Sequence, residues 1–190
     1  MYLDDWLVVS RSEAQATRDI MATCALTSQL GFIINQKKSH LLPTQTPTFL
    51  GAIVNLHSGV AVPTEDRLTN LRMCIDLFLT SEVAPARAWL KLLGLLASLV
   101  DLVPWCRLRM RPLQMHLLAF YRPKTDPITL PVPISHHIRA HLLWWRTDHN
   151  VRQGVQFPHK DPQVVIFTDA SNEGWGASLG PRQAAGTLDE

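Results

Sequence analysis

The sequence predicts an α+β protein in which short strands alternate with longer helices. Apolar residues recur at helical spacing over several segments, and apolar runs bounded by turn residues indicate strands between them. A chain of 190 residues that is 46% hydrophobic and 18% charged can bury a core without covalent cross-links, which excludes a disordered chain. The three cysteines are odd in number and far apart, so we expect no disulfide framework and an intracellular setting.

The N-terminal residues predict a hairpin followed by a helix. An apolar run over residues 3–9 is interrupted by Asp4 and Asp5, which is typical of two strands joined by a two-residue acidic turn. The next segment predicts a helix over residues 13–30, because Ser12 and Gln15 form a capping box and Gly31 occupies the position after the helix end. The expected inward positions of this helix include Ile20, Thr27 and Leu30.

The following segment predicts a second hairpin. Residues 32–35 are expected to be extended, and a polar connection containing Lys37 and Lys38 follows them. Strands are predicted over residues 49–54 and 60–62, with a turn at residues 57–59.

The middle of the chain predicts three helices. Thr64 caps the first, whose Leu68, Leu71, Ile75 and Phe78 fall at helical spacing. Pro85 is expected at the first position of an apolar helix over residues 86–100, and Pro112 at the opening of another over residues 113–121. Charged residues interrupt the apolar run over residues 84–105, which therefore predicts a buried helix and no membrane span.

The C-terminal third predicts a linker, a helix and two strands. Residues 122–133 are rich in proline and are expected to form a linker. Ser135 caps a helix to about residue 149 with Ile138, Leu142 and Trp145 on one stripe. Residues 164–167 predict a buried strand, and residues 175–179 predict its antiparallel partner.

Charge is unevenly distributed along the chain. Residues 86–160 carry eleven Lys and Arg against three Asp and Glu, whereas both flanking segments are net acidic. A basic middle between acidic ends favours a polyanionic partner, although a solvated helical surface would give the same pattern.

Three motifs near the N-terminus resemble those of reverse transcriptases. Tyr2-Leu3-Asp4-Asp5 resembles the catalytic hairpin, and Leu30-Gly31-Phe32 with the lysines that follow it resembles the next motif of the palm. Phe49-Leu50-Gly51 resembles the primer-grip hairpin in the expected order and at the expected distance.

The rest of the chain extends the resemblance to retroelement polyproteins. Thr168-Asp169-Ala170-Ser171, followed by Gly174–Ala177, is similar to the opening of a ribonuclease H domain. Residues 108–114 and the helix containing Trp144 and Trp145 resemble the thumb and connection of retrotransposons, in particular DIRS-like elements. The resemblance implies a truncated palm over residues 1–63, a helical thumb over 64–121, a connection over 122–160 and an incomplete ribonuclease H-like domain over 161–190.

This resemblance implies phosphoryl transfer by two Mg²⁺ ions about 3.5–4 Å apart, with Mn²⁺ able to substitute. Asp4 would be the main metal ligand, Asp5 its assisting neighbour, and Asp169 the first metal ligand of the nuclease. Lys38, or Lys37, would protonate the leaving pyrophosphate. Tyr2, Leu50 and Gly51 would contact the primer–template, which together with dNTP would be the substrate.

The alternating arginines Arg107, Arg109 and Arg111 add a predicted phosphate contact. In an extended segment they would share one face at about 6.5–7 Å spacing, close to that of backbone phosphates, whereas a helix would spread them around its axis. The histidines around His137 and His141 lack an acidic partner and do not predict a zinc site. The tryptophans Trp105, Trp144 and Trp145 are expected to pack in the core or at an interface rather than to stack on bases.

The resemblance also predicts that the chain is a fragment. A palm needs a third carboxylate upstream of the Tyr-Leu-Asp-Asp hairpin, and ribonuclease H needs further acidic residues, so we expect the chain alone to be inactive. One alternative is a non-catalytic nucleic-acid-binding module that uses residues 86–160. Another is a helical interaction protein without nucleic-acid affinity, and the sequence does not indicate an oligomeric state.

Overall fold

The computed structural model describes residues 5–157 and 164–187. The chain divides into two compact units, Met1–Phe157 and Pro158–Glu190, which we call unit 1 and unit 2. Helices and strands both contribute to the described residues, as the α+β prediction requires.

The helices all lie in unit 1 among the described residues. They are α1 (Glu13–Gln29), α2 (Glu65–Thr80), α3 (Ala86–Ala97), α4 (Cys106–Phe120), α5 (His136–Arg146) and α6 (Asp148–Arg152). None of the described helices combines the length and apolar character needed to cross a membrane.

The strands form three antiparallel sheets. Unit 1 contains β1 (Thr48–Phe49), β2 (Ala52–Asn55), β3 (Val60–Pro63), β4 (Val83–Pro85), β5 (Pro131–Pro133) and β6 (Val155–Gln156). Unit 2 contains β7 (Phe167–Ala170), β8 (Gly174–Leu179) and β9 (Arg182–Thr187). The strand orders are β1-β2-β3-β6, β4-β5 and β7-β8-β9.

The N-terminal acidic hairpin is not formed in the described residues. Residues 5–10 contain no strand, because their backbone joins no ladder of hydrogen bonds with the described part of the chain. Residues 32–35 likewise form no strand and lead into a turn. Residues 3 and 4 lie outside the described residues.

Helix α1 begins and ends where its caps predict. The Ser12 hydroxyl accepts from the Gln15 N–H at 3.3 Å. At the other end Gly31 adopts φ +86°, and the N–H groups of Gly31 and Phe32 donate to the carbonyls of Ser28 and Thr27 at 3.1 and 3.0 Å. This pair of bonds is a Schellman motif, in which a glycine at positive φ satisfies the last carbonyls of the helix.

The packing of α1 matches only part of the prediction. Thr27 is buried and Ile20 is half-buried, but Leu30 is 67% exposed, so its assignment as an inward residue was wrong. Leu30 is the C-cap residue, and the chain turns away from the helix there before its side chain can pack.

The second hairpin has one turn more than predicted. Strands β2 and β3 pair in the expected region, with Ile53 opposite Val62, and the Asn55 side chain accepts from two backbone N–H groups of the connecting turn. However, the predicted strand over residues 49–54 is broken at Leu50 and Gly51, which form a two-residue turn between β1 and β2.

Helices α2–α5 enclose the core of unit 1. The predicted stripe of α2 is buried, and Phe78 at its end meets the fully buried Trp89 of α3 edge-to-face at 4.9 Å. Two predicted helix boundaries were wrong: Pro85 caps α3 instead of opening it, and α3 ends at Ala97. The helix that Ser135 caps, predicted to run to about residue 149, ends at Arg146, and the short helix α6 follows it. The stripe predicted for the first of these helices, Ile138, Leu142 and Trp145, is buried.

Helix α4 begins seven residues earlier than predicted and contains Pro112. The missing N–H of a helical proline leaves the carbonyl four residues earlier without its donor, here that of Leu108. Leu108 is exposed, so water can hydrate its carbonyl. The buried stripe of Cys106, Met110, Leu113 and Leu117 holds the helix continuous across the proline.

The predicted linker over residues 122–133 is partly structured. Its last residues form β5, which pairs with β4, and Val132 is fully buried in the core. The N–H groups of Ala86 and Arg87 also donate to carbonyls of this segment, at Leu130 and Ile128. The high proline content predicted an unstructured linker, but prolines at the ends of β5 do not prevent its pairing with β4, because the two strands form an isolated pair whose outer edges need no partner.

Unit 2 is a single antiparallel layer. Strand β8 pairs with β7 as predicted, and β9 adds a third strand. The predicted buried strand was wrong in two respects, because residues 164–166 lie outside β7 and their side chains are exposed. No helix occurs among residues 164–187.

Candidate nucleic-acid interface

Of the predicted catalytic carboxylates, Asp5 and Asp169 fall among the described residues. Tyr2 and Asp4 lie outside those residues, and Asp5 is exposed in an irregular segment of unit 1. Asp169 is exposed on β7 of unit 2, where its Oδ1 accepts from the Ala170 N–H at 2.9 Å. Across residues 5–157 and 164–187, no three His, Cys, Asp or Glu side chains are placed to hold one metal ion.

The predicted lysines lie on a polar turn after α1. Lys37 and Lys38 are both exposed, and the carbonyl of Asn35 accepts from the Lys38 N–H and from the Ser39 hydroxyl. These bonds fix the backbone of the turn and leave both ammonium groups in solvent. The proton-donor role of Lys38 stays a prediction.

The turn at Leu50 and Gly51 is tied to the helical core by Arg67. Both turn residues have positive φ, 47° at Leu50 and 71° at Gly51, which is the pattern of a type I′ hairpin turn. The Arg67 guanidinium of α2 donates to the carbonyls of Leu50 at 2.7 Å and Ser98 at 2.9 Å.

A side chain at residue 51 would collide with this arginine. A Cβ there would lie 2.3 Å from Arg67 Nε. The space that a side chain at residue 51 would need is therefore occupied by Arg67 of the same chain. Contact of Leu50 and Gly51 with a primer stays a prediction.

The three alternating arginines lie on a helix, which corrects the expectation of an extended segment. Arg107, Arg109 and Arg111 are all exposed on α4. At about 100° per residue, Arg107 and Arg111 project from nearly the same side, while Arg109 points roughly 200° away from Arg107. The prediction that the three arginines share one face and contact successive backbone phosphates therefore does not hold.

Arg109 instead joins a cluster between α4 and α5. Its guanidinium lies 4.9 Å from the ring centroid of Trp144, a cation–π contact, and its carbonyl accepts from the Trp145 indole N–H at 3.3 Å. On the preceding turns of α5, the Nε2 atoms of His137 and His141 lie 3.2 Å from each other. We call Arg109, His137, His141 and Trp144 the α4–α5 cluster.

The α4–α5 cluster lies in a positive electrostatic potential. Partial burial lowers the pKa of His141, and the neighbouring His137 and Arg109 lower it further. Between residues 106 and 146 the sequence contains a single carboxylate, Asp126, which accepts from the Arg122 N–H at 2.7 Å. Asp101, six residues before Arg107, is the nearest carboxylate on the N-terminal side of these arginines in the sequence.

Other arginines of unit 1 are engaged in holding the fold. Arg72 and Arg152 bridge Glu65 and Asp148, and Arg146 pairs with Asp76 at 2.6 Å. Arg139 donates two hydrogen bonds to carbonyls at the end of α2. Among the described ion pairs, none uses Arg107, Arg109 or Arg111.

Two expectations about aromatic residues have different outcomes. Trp145 is buried and Trp144 is half-buried, so the packing prediction is confirmed for this pair. Trp105 is 75% exposed at φ +60° immediately before α4, so it does not pack in the core, and its packing at an interface stays a prediction. Sequence reasoning missed the Arg109–Trp144 contact because the two residues are 35 positions apart and only the helical phase of α4 reveals it.

The comparisons with known proteins identify a likeness to solved structures. No protein-family model and no curated protein matches the chain. A solved structure of a foamy viral protease-reverse transcriptase in complex with double-stranded DNA matches with a TM-score of 0.59 and 15% identity. The match covers 95% of this chain and 30% of that one, so the chain spans less than a third of the viral protein. The likeness shows a fold of the retroviral reverse-transcriptase type.

Proposed function

We propose that this chain is part of a retroelement RNA-directed DNA polymerase that also carries ribonuclease H, and that α4 and its neighbours hold the primer–template. The fold likeness to a reverse transcriptase carries the proposal. The ordered motifs at residues 2–5, 30–39 and 49–51 support it independently, since they come from sequence and the likeness comes from shape. Residues 108–114 favour a DIRS-like element within that class.

The binding role rests on the charge distribution of α4. Its three arginines are exposed, and the described ion pairs use other arginines. A positive surface attracts phosphates by releasing their counterions, which gives affinity without sequence choice. Arg109 is additionally oriented by Trp144.

The proposed catalysis is two-metal nucleotidyl transfer at Asp4 and Asp5, with Asp169 serving the nuclease. Asp5 and Asp169 offer the hard carboxylate oxygens that suit Mg²⁺. The described carboxylates do not by themselves form a magnesium site, since no group of three potential ligands occurs among them. We therefore expect no primer extension by this chain alone. Extension with Mg²⁺ and dNTP that Asp4→Asn abolishes would contradict that expectation.

The binding role is tested by the salt dependence of affinity. We would measure anisotropy of a labelled RNA–DNA hybrid and a DNA duplex against the chain over a series of salt concentrations. If Arg107 and Arg111, which project from nearly the same side of α4, each contact a phosphate, replacing both by Gln reduces the slope of log K against log salt by about 1.8. Arg18→Gln, which removes one exposed charge from α1, is the control. An unchanged slope in the double variant would refute the proposed interface.

A non-catalytic nucleic-acid-binding module is the second candidate, because most of the basic segment lies within the described residues, among which no group of three potential metal ligands occurs. This candidate predicts hybrid binding that is the same with and without Mg²⁺. It also predicts no effect of Asp4→Asn or Asp5→Asn. Binding that strengthens with Mg²⁺ in the parent chain, but not in these variants, would favour the polymerase.

A further inference from the structure

Two histidines of α5 are arranged as a pair on the surface of unit 1. His137 is exposed and His141 is half-buried one turn later. Their Nε2 atoms lie 3.2 Å apart, and the rings are nearly perpendicular at 82° with centroids 4.8 Å apart. The helix holds both side chains on one side of its axis, because residues four apart are neighbours on its surface.

This separation matches two ligands of one metal ion. Zinc binds imidazole nitrogen at about 2.0–2.1 Å, and two such bonds at a tetrahedral angle place the nitrogens about 3.3–3.4 Å apart. Imidazole favours Zn²⁺, Ni²⁺ and Cu²⁺ over the hard ion Mg²⁺. The pair therefore differs in chemistry from the carboxylate site proposed for catalysis.

Both imidazoles can be reached by an ion, because His137 is exposed and His141 is only half-buried. The positive charge of Arg109 opposes a second cation, and its guanidinium is held over the Trp144 ring, 4.9 Å from the ring centroid. Neither histidine belongs to the buried stripe of α5, so both are available without unfolding the helix.

We propose that His137 and His141 form a two-imidazole site for a divalent transition-metal ion of the zinc class, whose remaining positions are left to water or to an incoming ligand. The site does not depend on nucleic-acid binding, and it requires no residue outside α5. An ion bound there would lie near Arg109, on the pair of helices α4 and α5 that carries the α4–α5 cluster.

The test is calorimetric titration of the full chain with Zn²⁺ alone and with Ni²⁺ alone. All proteins would carry Cys24→Ser, because Cys24 is the described cysteine that is not buried and its thiolate would compete for metal. We expect one ion per chain. His137→Ala and His141→Ala should each weaken binding at least tenfold, and the double variant should be little weaker than either one, because each single change already destroys the chelate.

His136→Ala is the matched control, since His136 is an exposed histidine of the same helix and contributes no described hydrogen bond. Its affinity should stay within twofold of the parent. Far-UV circular dichroism would establish that every variant is folded. Absence of Zn²⁺ and Ni²⁺ binding by the parent, unchanged affinity in the two single variants, or an equal loss in His136→Ala would overturn the proposal.

Discussion

Gly51→Ala should destabilise unit 1 by about 2.5–3.5 kcal/mol. Two separable terms contribute to this value. Alanine at φ +71° costs about 1–2 kcal/mol, because its Cβ crowds the backbone in the left-handed region. The same Cβ would displace Arg67, whose half-buried hydrogen bond to the Leu50 carbonyl is worth about 1.5 kcal/mol for a charged donor.

The two terms can be measured with a double-mutant cycle and a matched glycine. In an Arg67→Ala background the collision is absent, so Gly51→Ala should cost only the 1–2 kcal/mol of backbone strain. Gly31→Ala should cost a similar amount in the parent chain, because Gly31 has φ +86° and nothing lies within 4 Å of a Cβ placed there.

The assay is urea unfolding followed by tryptophan fluorescence, which reports on the buried Trp89 and Trp145 of unit 1. We expect a coupling energy of about 1.5 kcal/mol between residues 51 and 67. Equal costs of Gly51→Ala in the presence and absence of Arg67 would show that the guanidinium does not hold the turn. The explanation of this glycine by steric exclusion would then fail.

Three further stability measurements follow from the structure. Gly94→Ala, at an open position of α3, should raise the free energy of unfolding by about 0.5–1 kcal/mol, and a loss in urea unfolding would contradict the helix there. Trp145→Ala should cost about 3–5 kcal/mol by the same assay, because the indole is buried between α4 and α5; a cost below about 1 kcal/mol would refute that packing. Burial raises the pKa of the Cys106 thiol from an ordinary value near 9 to about 11, so the unfolded chain loses this proton first as the pH rises. The contribution of the protonated thiol to stability is complete below about pH 9 and is lost towards pH 11. Between these values the free energy of unfolding of the parent chain should fall more steeply with pH than that of Cys106→Ala, by up to about 1.4 kcal/mol per pH unit. Equal slopes for the two proteins would contradict this prediction.

Sequence predicted the elements whose ends are fixed by local chemistry. Ser12 and Gly31 delimit α1, and residues 57–59 mark the turn between β2 and β3, because a cap or a tight turn is satisfied within a few residues. The buried stripe of α2 was also predicted correctly, because the helical spacing of its apolar residues is visible within the segment itself.

Sequence failed where distant packing overrides a local signal. Pro112 suggests a helix start, but the buried residues on either side of it keep α4 continuous. That single error changed the geometry assigned to the arginines, because the phase of Arg109 towards Trp144 exists only in the longer helix. Leu50 gives no turn signal either, since its positive φ is imposed by the β1–β2 pairing and by Arg67.

The last strand of unit 1 has a consequence for the order of folding. Strand β6 pairs with β3 at Val60 and Ala61, although some ninety-five residues separate the partners. Contacts so remote in sequence form late, because the loop between them must first be closed at an entropic cost. On a ribosome the helices between these strands can assemble while β6 is still inside the exit tunnel. The edge of β3 is consequently the last part of the sheet in unit 1 to be covered.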